Sequence, residues 1–111
     1  MKNVEELLIY MQYLEMIYYS EMILEKYPKV EKNSLVSCIK INIHDGIKYI
    51  ISAYKFYDKK DKMYFLNNLD INLKQLKVFI RISHNKKYIT HKNYAAWSKK
   101  INNIGNLLGG G

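Results

Sequence analysis

The most regular pattern of apolar positions runs from Lys62 to Lys86 and predicts one long helix with two apolar stripes. The first stripe, wide enough to face a core, comprises Phe65, Leu66, Leu69, Leu73, Leu76 and Ile80. The second comprises Tyr64, Ile71, Val78 and Ile82. A surface helix of a small monomeric bundle needs only one stripe. The second therefore predicts another partner, either a further helix of this chain or a neighbouring subunit.

Charged residues separate the two stripes, and three of them, Lys74, Lys77 and Arg81, form what we call the basic seam. Their spacing of three and four residues projects all three side chains from neighbouring positions of one helix. Asp70 lies in the same strip. Two interpretations stay open: a surface that binds polyanions, or a solvated face on which Lys77 and Arg81 pair with acids such as Asp70 or Glu15.

The first predicted helix, Val4 to Lys26, is apolar nearly all round and is expected to be covered on more than one side. Tyr27 and Pro28 end it, because proline lacks an amide hydrogen and disfavours a helical conformation in the residue before it. A short linker runs from Lys29 to Asn33.

The second predicted helix is capped by Asn33 or Ser34 and runs to about Tyr57. Gly46 lies on its apolar face. A glycine inside a helix costs about 1 kcal/mol relative to alanine, so we expect Gly46 to permit the close approach of another helix.

Asp61 is the expected N-cap of the third helix, and Thr90 that of a fourth helix from His91, which the three terminal glycines, 109 to 111, stop. Four helices with short connections predict an all-α, up-down-up-down four-helix bundle. At 111 residues the chain fits one domain, residues 1 to 111.

The charge is unevenly distributed along the chain. Residues 1 to 26 carry a net charge of −3, whereas residues 27 to 111, with sixteen basic and five acidic groups, carry +11. This balance favours a polyanionic partner such as a phosphate backbone. The alternative is a charge excess that only aids solubility.

Catalytic and metal-binding patterns are missing from the sequence, which predicts no enzyme, no cofactor and no metal site. His44, His84 and His91 are scattered, each without a second ligand at helical spacing. Cys38, the single cysteine, is predicted to be a small buried apolar residue. The eleven tyrosines fit helix packing better than stacking on bases. Without a signal sequence or an apolar run long enough to span a bilayer, the protein is expected to be cytoplasmic and not membrane-bound.

Several short motifs in order resemble the accessory variability determinant of diversity-generating retroelements. They are Tyr27-Pro28-Lys29, Lys32, Leu35, the run from Leu69 to Arg81, Tyr88-Ile89, Tyr94, and the run from Ile104 to Gly110. The resemblance implies a four-helix bundle that forms a homopentameric barrel, binds nucleic acid (template RNA and DNA) and associates with the retroelement reverse transcriptase during mutagenic retrohoming.

The resemblance also assigns roles to residues. A pair of basic residues in the family's third helix matches Lys77 and Arg81, with lysine in the first position. The seam and the resemblance together predict nucleic-acid or reverse-transcriptase binding at Lys74, Lys77, Arg81, Lys29 and Lys32. The residues of the second apolar stripe, Tyr64, Ile71, Val78 and Ile82, are the predicted oligomer interface. Two alternatives remain: a bundle of the ribosomal-RNA intervening-sequence type, which shares the Pro-Lys linker, and a purely structural oligomerisation module.

Overall fold

The structure, a computed structural model, describes residues 4–109 and consists there of four α-helices and one short turn of 3₁₀-helix, with no strand. The α-helices are α1 (Val4–Leu24), α2 (Leu35–Lys55), α3 (Lys59–Asn85) and α4 (His91–Gly109). The 3₁₀ turn covers Lys29–Glu31 in the linker between α1 and α2. The predicted all-α class and the four helices are confirmed.

The helices form an elongated bundle of 43 × 25 × 19 Å. Each helix packs against the next one in the chain, and α1 also packs against α4, which closes the bundle. Glu6, near the start of α1, forms an ion pair of 2.7 Å with Lys62 near the start of α3. Those two helices therefore begin at the same end of the molecule, which is the up-down-up-down arrangement.

The core is formed by the first apolar stripe of α3 together with buried apolar side chains of α1, α2 and α4. Leu69, Leu73, Leu76 and Ile80 are buried, whereas Phe65 and Leu66 near the start of the helix are half-buried. Trp97 of α4 is the largest fully buried side chain, and the ring of Tyr19 on α1 meets its edge at 6.4 Å between centroids. Burying such side chains is the main source of stability in a domain of this size.

A pair of asparagines fixes how α2 and α3 are aligned. The Asn42 side-chain amide donates to the backbone carbonyl of Asn72 at 3.0 Å and to Oε1 of Gln75 at 2.7 Å. In return, the Asn72 amide donates to the Asn42 carbonyl at 2.6 Å. Since Asn42 is only 4% exposed, sliding one helix along the other would leave buried polar groups without partners.

The helix starts differ from the prediction at α3 and α2. The N-cap of α3 is Asp58, which accepts from the Lys60 amide at 3.3 Å, so the prediction of Asp61 was wrong. Asp61 instead lies in the first turn, where its negative charge interacts favourably with the positive end of the helix dipole. Ser34 is the N-cap residue of α2, but its side chain makes no cap bond; Oε1 of Glu31 accepts from the Leu35 amide instead.

The two ends of α4 were predicted from its capping residues. Thr90 accepts from the Asn93 amide at 3.0 Å, which confirms it as the cap. Gly109 is the last residue of the helix, and Gly110 and Gly111 lie outside the described residues.

Cys38 is exposed, so the prediction that it is buried was wrong. The core face of α2 at this level is formed by Val36 and Ile39. Cys38 precedes Ile39 by one residue and is turned about 100° away from it around the helix. The apolar pattern around this cysteine therefore belongs to its neighbours.

Candidate nucleic-acid interface

The basic seam lies on the surface of α3, where Lys74, Lys77 and Arg81 are all exposed. Nζ of Lys74 forms an ion pair of 2.6 Å with Oδ2 of Asp70, one turn earlier on the same helix. An exposed pair of this kind contributes only about 0.3 to 0.5 kcal/mol to stability. Lys74 can therefore leave Asp70 for a phosphate at little cost.

Lys77 and Arg81 have no carboxylate within ion-pair distance anywhere in residues 4–109. The nearby acid on their own helix, Asp70, is already bound to Lys74. In residues 4–109, therefore, Lys77 and Arg81 do not form the ion pairs with acids that the alternative interpretation of this face predicted. Two unpaired cations one helical turn apart are suited to contacting successive phosphates of a nucleic-acid backbone.

A groove of about 430 Å³ runs beside the seam, between α3 and α4. Lys74 and Lys77 line its α3 side, and Gly105 lies in its α4 wall. Arg81 lies one turn beyond Lys77, outside the groove. Sequence periodicity predicted the seam but not the groove, because the groove depends on how α3 and α4 are aligned.

Lys29 and Lys32 lie elsewhere, in a separate groove of about 400 Å³ where α1 ends and α2 begins. Lys40 joins them there, but so do Glu21 and Glu25 of α1. The structure therefore does not bring these two lysines into the groove beside the seam, and acids share their surroundings.

Glu31 organises the linker that holds Lys29 and Lys32. Its carboxylate accepts from Ser34 Oγ and, at 2.6 Å, from the hydroxyl of Tyr88, and it lies 3.9 Å from Nζ of Lys86. The hydrogen bonds from Ser34 and Tyr88 lower the pKa of this carboxyl below its usual value. Sequence analysis missed this cluster; the one signal was a lone acid in an otherwise basic linker.

Tyr27 anchors the same linker to the bundle. Its ring is buried, 5.4 Å from that of Tyr88 between centroids. Burial raises the pKa of Tyr27 to about 12. The linker between α1 and α2 is thereby held against the loop between α3 and α4.

The second apolar stripe of α3 is uncovered in the single chain. Tyr64 and Ile71 are each 64% exposed, Val78 55% and Ile82 38%. The outer face of α1 is also apolar and exposed, through Val4, Leu7, Leu8, Met11, Tyr18 and Met22. Contiguous apolar surface of this kind marks contact sites in soluble proteins.

Two histidines on different helices, His84 and His91, lie close together in the structure. The ring of His84, near the end of α3, stacks on Tyr94 at 4.4 Å and lies 5.6 Å from that of His91. The loop between α3 and α4 brings them together, which periodicity alone did not indicate. Among residues 4–109 no group of three metal-binding side chains is present.

Comparison with known proteins places the chain in a family. The model of the family described as bAvd-like matches residues 7–111, nearly the whole chain. The chain belongs to the bAvd-like family. This family is that of the bacterial accessory variability determinants, so the resemblance found in the sequence is confirmed.

A solved structure shares the fold of this bAvd-like chain. It is a protein of unknown function from the S23 ribosomal protein family of Bacteroides thetaiotaomicron VPI-5482, with a TM-score of 0.79 over 95% of each chain. At 16% identity the likeness concerns the fold alone. A comparison with curated proteins found no match. No helix in residues 4–109 is both long and apolar enough to cross a bilayer.

Proposed function

We propose that this protein is a non-catalytic accessory subunit of a diversity-generating retroelement, which binds template RNA and its DNA copy through the basic seam and associates with the reverse transcriptase. Membership of the bAvd-like family supports the accessory role. The observation that supports binding at the seam is that Lys77 and Arg81 are exposed and form no ion pair within the described chain.

The charge of the whole chain supports the same proposal. A formal net charge of +8, concentrated after residue 26, attracts polyanions over a distance of about 8 to 10 Å at physiological salt. Backbone contacts of this type carry little sequence information. The seam would therefore bind along the backbone of a nucleic acid without contacting its bases.

We propose that several copies assemble through the second stripe of α3. The family resemblance implies that this assembly is a homopentamer. The stripe of one copy would be covered by the exposed apolar face of α1 of the next. That contact joins two different surfaces, and repeated around an axis it closes a ring. Exposed Glu15 on α1 and the lysines beside the α3 stripe carry opposite charges, which favours this pairing. A ring would repeat the basic seam on every copy.

An accessory subunit of this kind would act by holding template and polymerase together. Linking two binding partners raises their effective concentration without new chemistry. Purified protein is expected to show neither polymerase nor nuclease activity, in keeping with the cytoplasmic, non-enzymatic role predicted from the sequence.

The test of this function is co-purification with the reverse transcriptase of a diversity-generating retroelement from the same genome. The two proteins, co-expressed with their template RNA, should elute together at low salt. The parent chain should also bind template RNA in isolation. A folded protein that binds neither the enzyme nor RNA would refute the proposal and leave the purely structural oligomerisation module as the better account.

A further inference from the structure

The groove between α3 and α4 combines an apolar floor with polar walls. Its volume of about 430 Å³ lies within the range of about 300 to 1,000 Å³ that small-ligand sites occupy. The floor includes Leu66, Leu73, Ile101 and Leu108. The walls carry the amides of Asn67, Asn102 and Asn106, the carboxylate of Asp70, and Lys74 and Lys77.

We propose that this groove binds one nucleotide of a single-stranded nucleic acid, with its phosphate at Lys74 and Lys77 and its base on the apolar floor. The inference rests on the proposed function and narrows it, because it names the strand form that the protein prefers. The seam alone would bind any phosphate backbone.

The chemistry of the lining fits a nucleotide at each of its parts. The two lysines complement a phosphate: Lys77 forms no ion pair with a carboxylate in residues 4–109, and Lys74 would exchange its exposed pair with Asp70 for the phosphate. An asparagine amide both donates and accepts, as the edge of a base does. The aliphatic floor can bury the face of a base, and bases that are unpaired and unstacked are the ones free to reach it.

Gly105 keeps the groove open on the α4 side. A Cβ added at Gly105 would meet no atom within 4 Å, so the position borders empty space. A larger side chain there would extend into the groove without displacing the core. Gly105 therefore offers a way to fill the groove while leaving the charge of the protein unchanged.

The experiment compares Gly105→Leu with Asn103→Leu, an exposed position of α4 that does not line the groove. Binding of a fluorescein-labelled oligouridine and of an RNA duplex of equal length is measured by anisotropy. Gly105→Leu should weaken oligouridine binding by about tenfold or more, since the leucine would occupy the space of the base and the apolar burial of that base would be lost. It should leave duplex binding within about twofold, and Asn103→Leu should change neither.

A second measurement uses the parent chain and so does not depend on how the variant folds. An oligouridine carrying one 4-thiouridine is cross-linked by light and the tryptic peptides are identified by mass spectrometry. Cross-links are expected in peptides 63–74 and 101–111, which supply the floor and the amides. Cross-links confined to other peptides would overturn the inference.

The remaining outcomes separate the two proposals. If Gly105→Leu weakens single-strand and duplex binding equally, or weakens neither, the groove is not a nucleotide site, while binding at the seam stands. If the parent chain binds neither oligouridine nor duplex, the proposed function fails and the groove inference fails with it.

Discussion

The phenol oxygen of Tyr13 on α1 occupies the space that a side chain at Gly46 on α2 would need. A Cβ added at Gly46 would be 1.8 Å from that oxygen and 2.6 Å from the ring carbon that bears it. The hydroxyl donates to the Ile43 carbonyl at 2.7 Å, one turn before Gly46. The prediction that Gly46 allows a close approach is thereby confirmed, and the group that approaches is a buried tyrosine.

Gly46→Ala should destabilise the protein although alanine is the better helix former. Alanine gains about 1 kcal/mol in helix propensity, but it must displace the Tyr13 ring and its hydrogen bond. We expect a net loss of about 1 to 3 kcal/mol in the free energy of unfolding, measured by urea denaturation. Gly105→Ala is the control, because it meets no neighbour and should raise stability by up to about 1 kcal/mol. Equal effects of the two substitutions would contradict the packing described here.

Glu31 should make the fold sensitive to acid. Hydrogen bonds from Ser34 and Tyr88 lower its pKa in the folded state. Its contribution to stability is therefore present above the unfolded pKa of about 4.3 and is lost as the pH falls through the lower folded pKa. The difference in unfolding free energy between parent and Glu31→Gln should narrow as the pH is lowered from about 5.

The control for that experiment is Glu25→Gln, at an exposed position near the end of α1. Urea unfolding of the three proteins across this pH range gives the comparison. A difference between parent and Glu31→Gln that stays constant down to the most acid pH would show that the hydrogen-bonded carboxylate is not the cause.

The exposed stripe of α3 should hold the copies of the chain together. In sedimentation, the parent should form a species of about 67 kDa if five chains of 13.3 kDa assemble. Ile71→Glu and Val78→Glu place charges on the proposed contact and should release folded single chains. Ile51→Glu alters an apolar residue of α2 that is 59% exposed and should leave the assembly intact. A parent chain that sediments at 13.3 kDa at micromolar concentration would contradict the interface.

Periodicity predicted the parts of this fold that depend on one helix at a time. The core stripe of α3 follows from leucine and isoleucine spacing, and Leu69, Leu76 and Ile80 are fully buried as expected. The cap of α3 was misplaced because Asp58 and Asp61 both precede the apolar pattern. Only the backbone geometry shows that Asp58 is extended and begins the helix.

Contacts between distant segments could not be predicted in this way. Glu31 and Tyr88 are 57 residues apart, and their hydrogen bond depends on two loops meeting at one end of the bundle. The groove that Lys77 and Gly105 line likewise depends on how α4 is aligned with α3. The sequence thus predicted the basic seam, whereas the cavity beside it became visible only once the helices were aligned.

The proposal that the basic seam binds nucleic acid is tested most directly by reversing its charge. Lys77→Glu combined with Arg81→Glu is compared with Lys92→Glu combined with Lys99→Glu, two exposed lysines of α4 with the same change in net charge. None of these four side chains forms an ion pair in residues 4–109, so both double variants should fold, as checked by circular dichroism.

The measurement is the affinity for template RNA as a function of salt. The slope of log affinity against log salt reports how many phosphates the protein neutralises, about 0.9 per contact on a duplex and about 0.7 on a single strand. We predict that the seam variant loses binding and that any residual binding has a shallower slope, while the α4 variant keeps most of the parent's slope. A folded seam variant that binds RNA with the parent's affinity and slope would contradict the account.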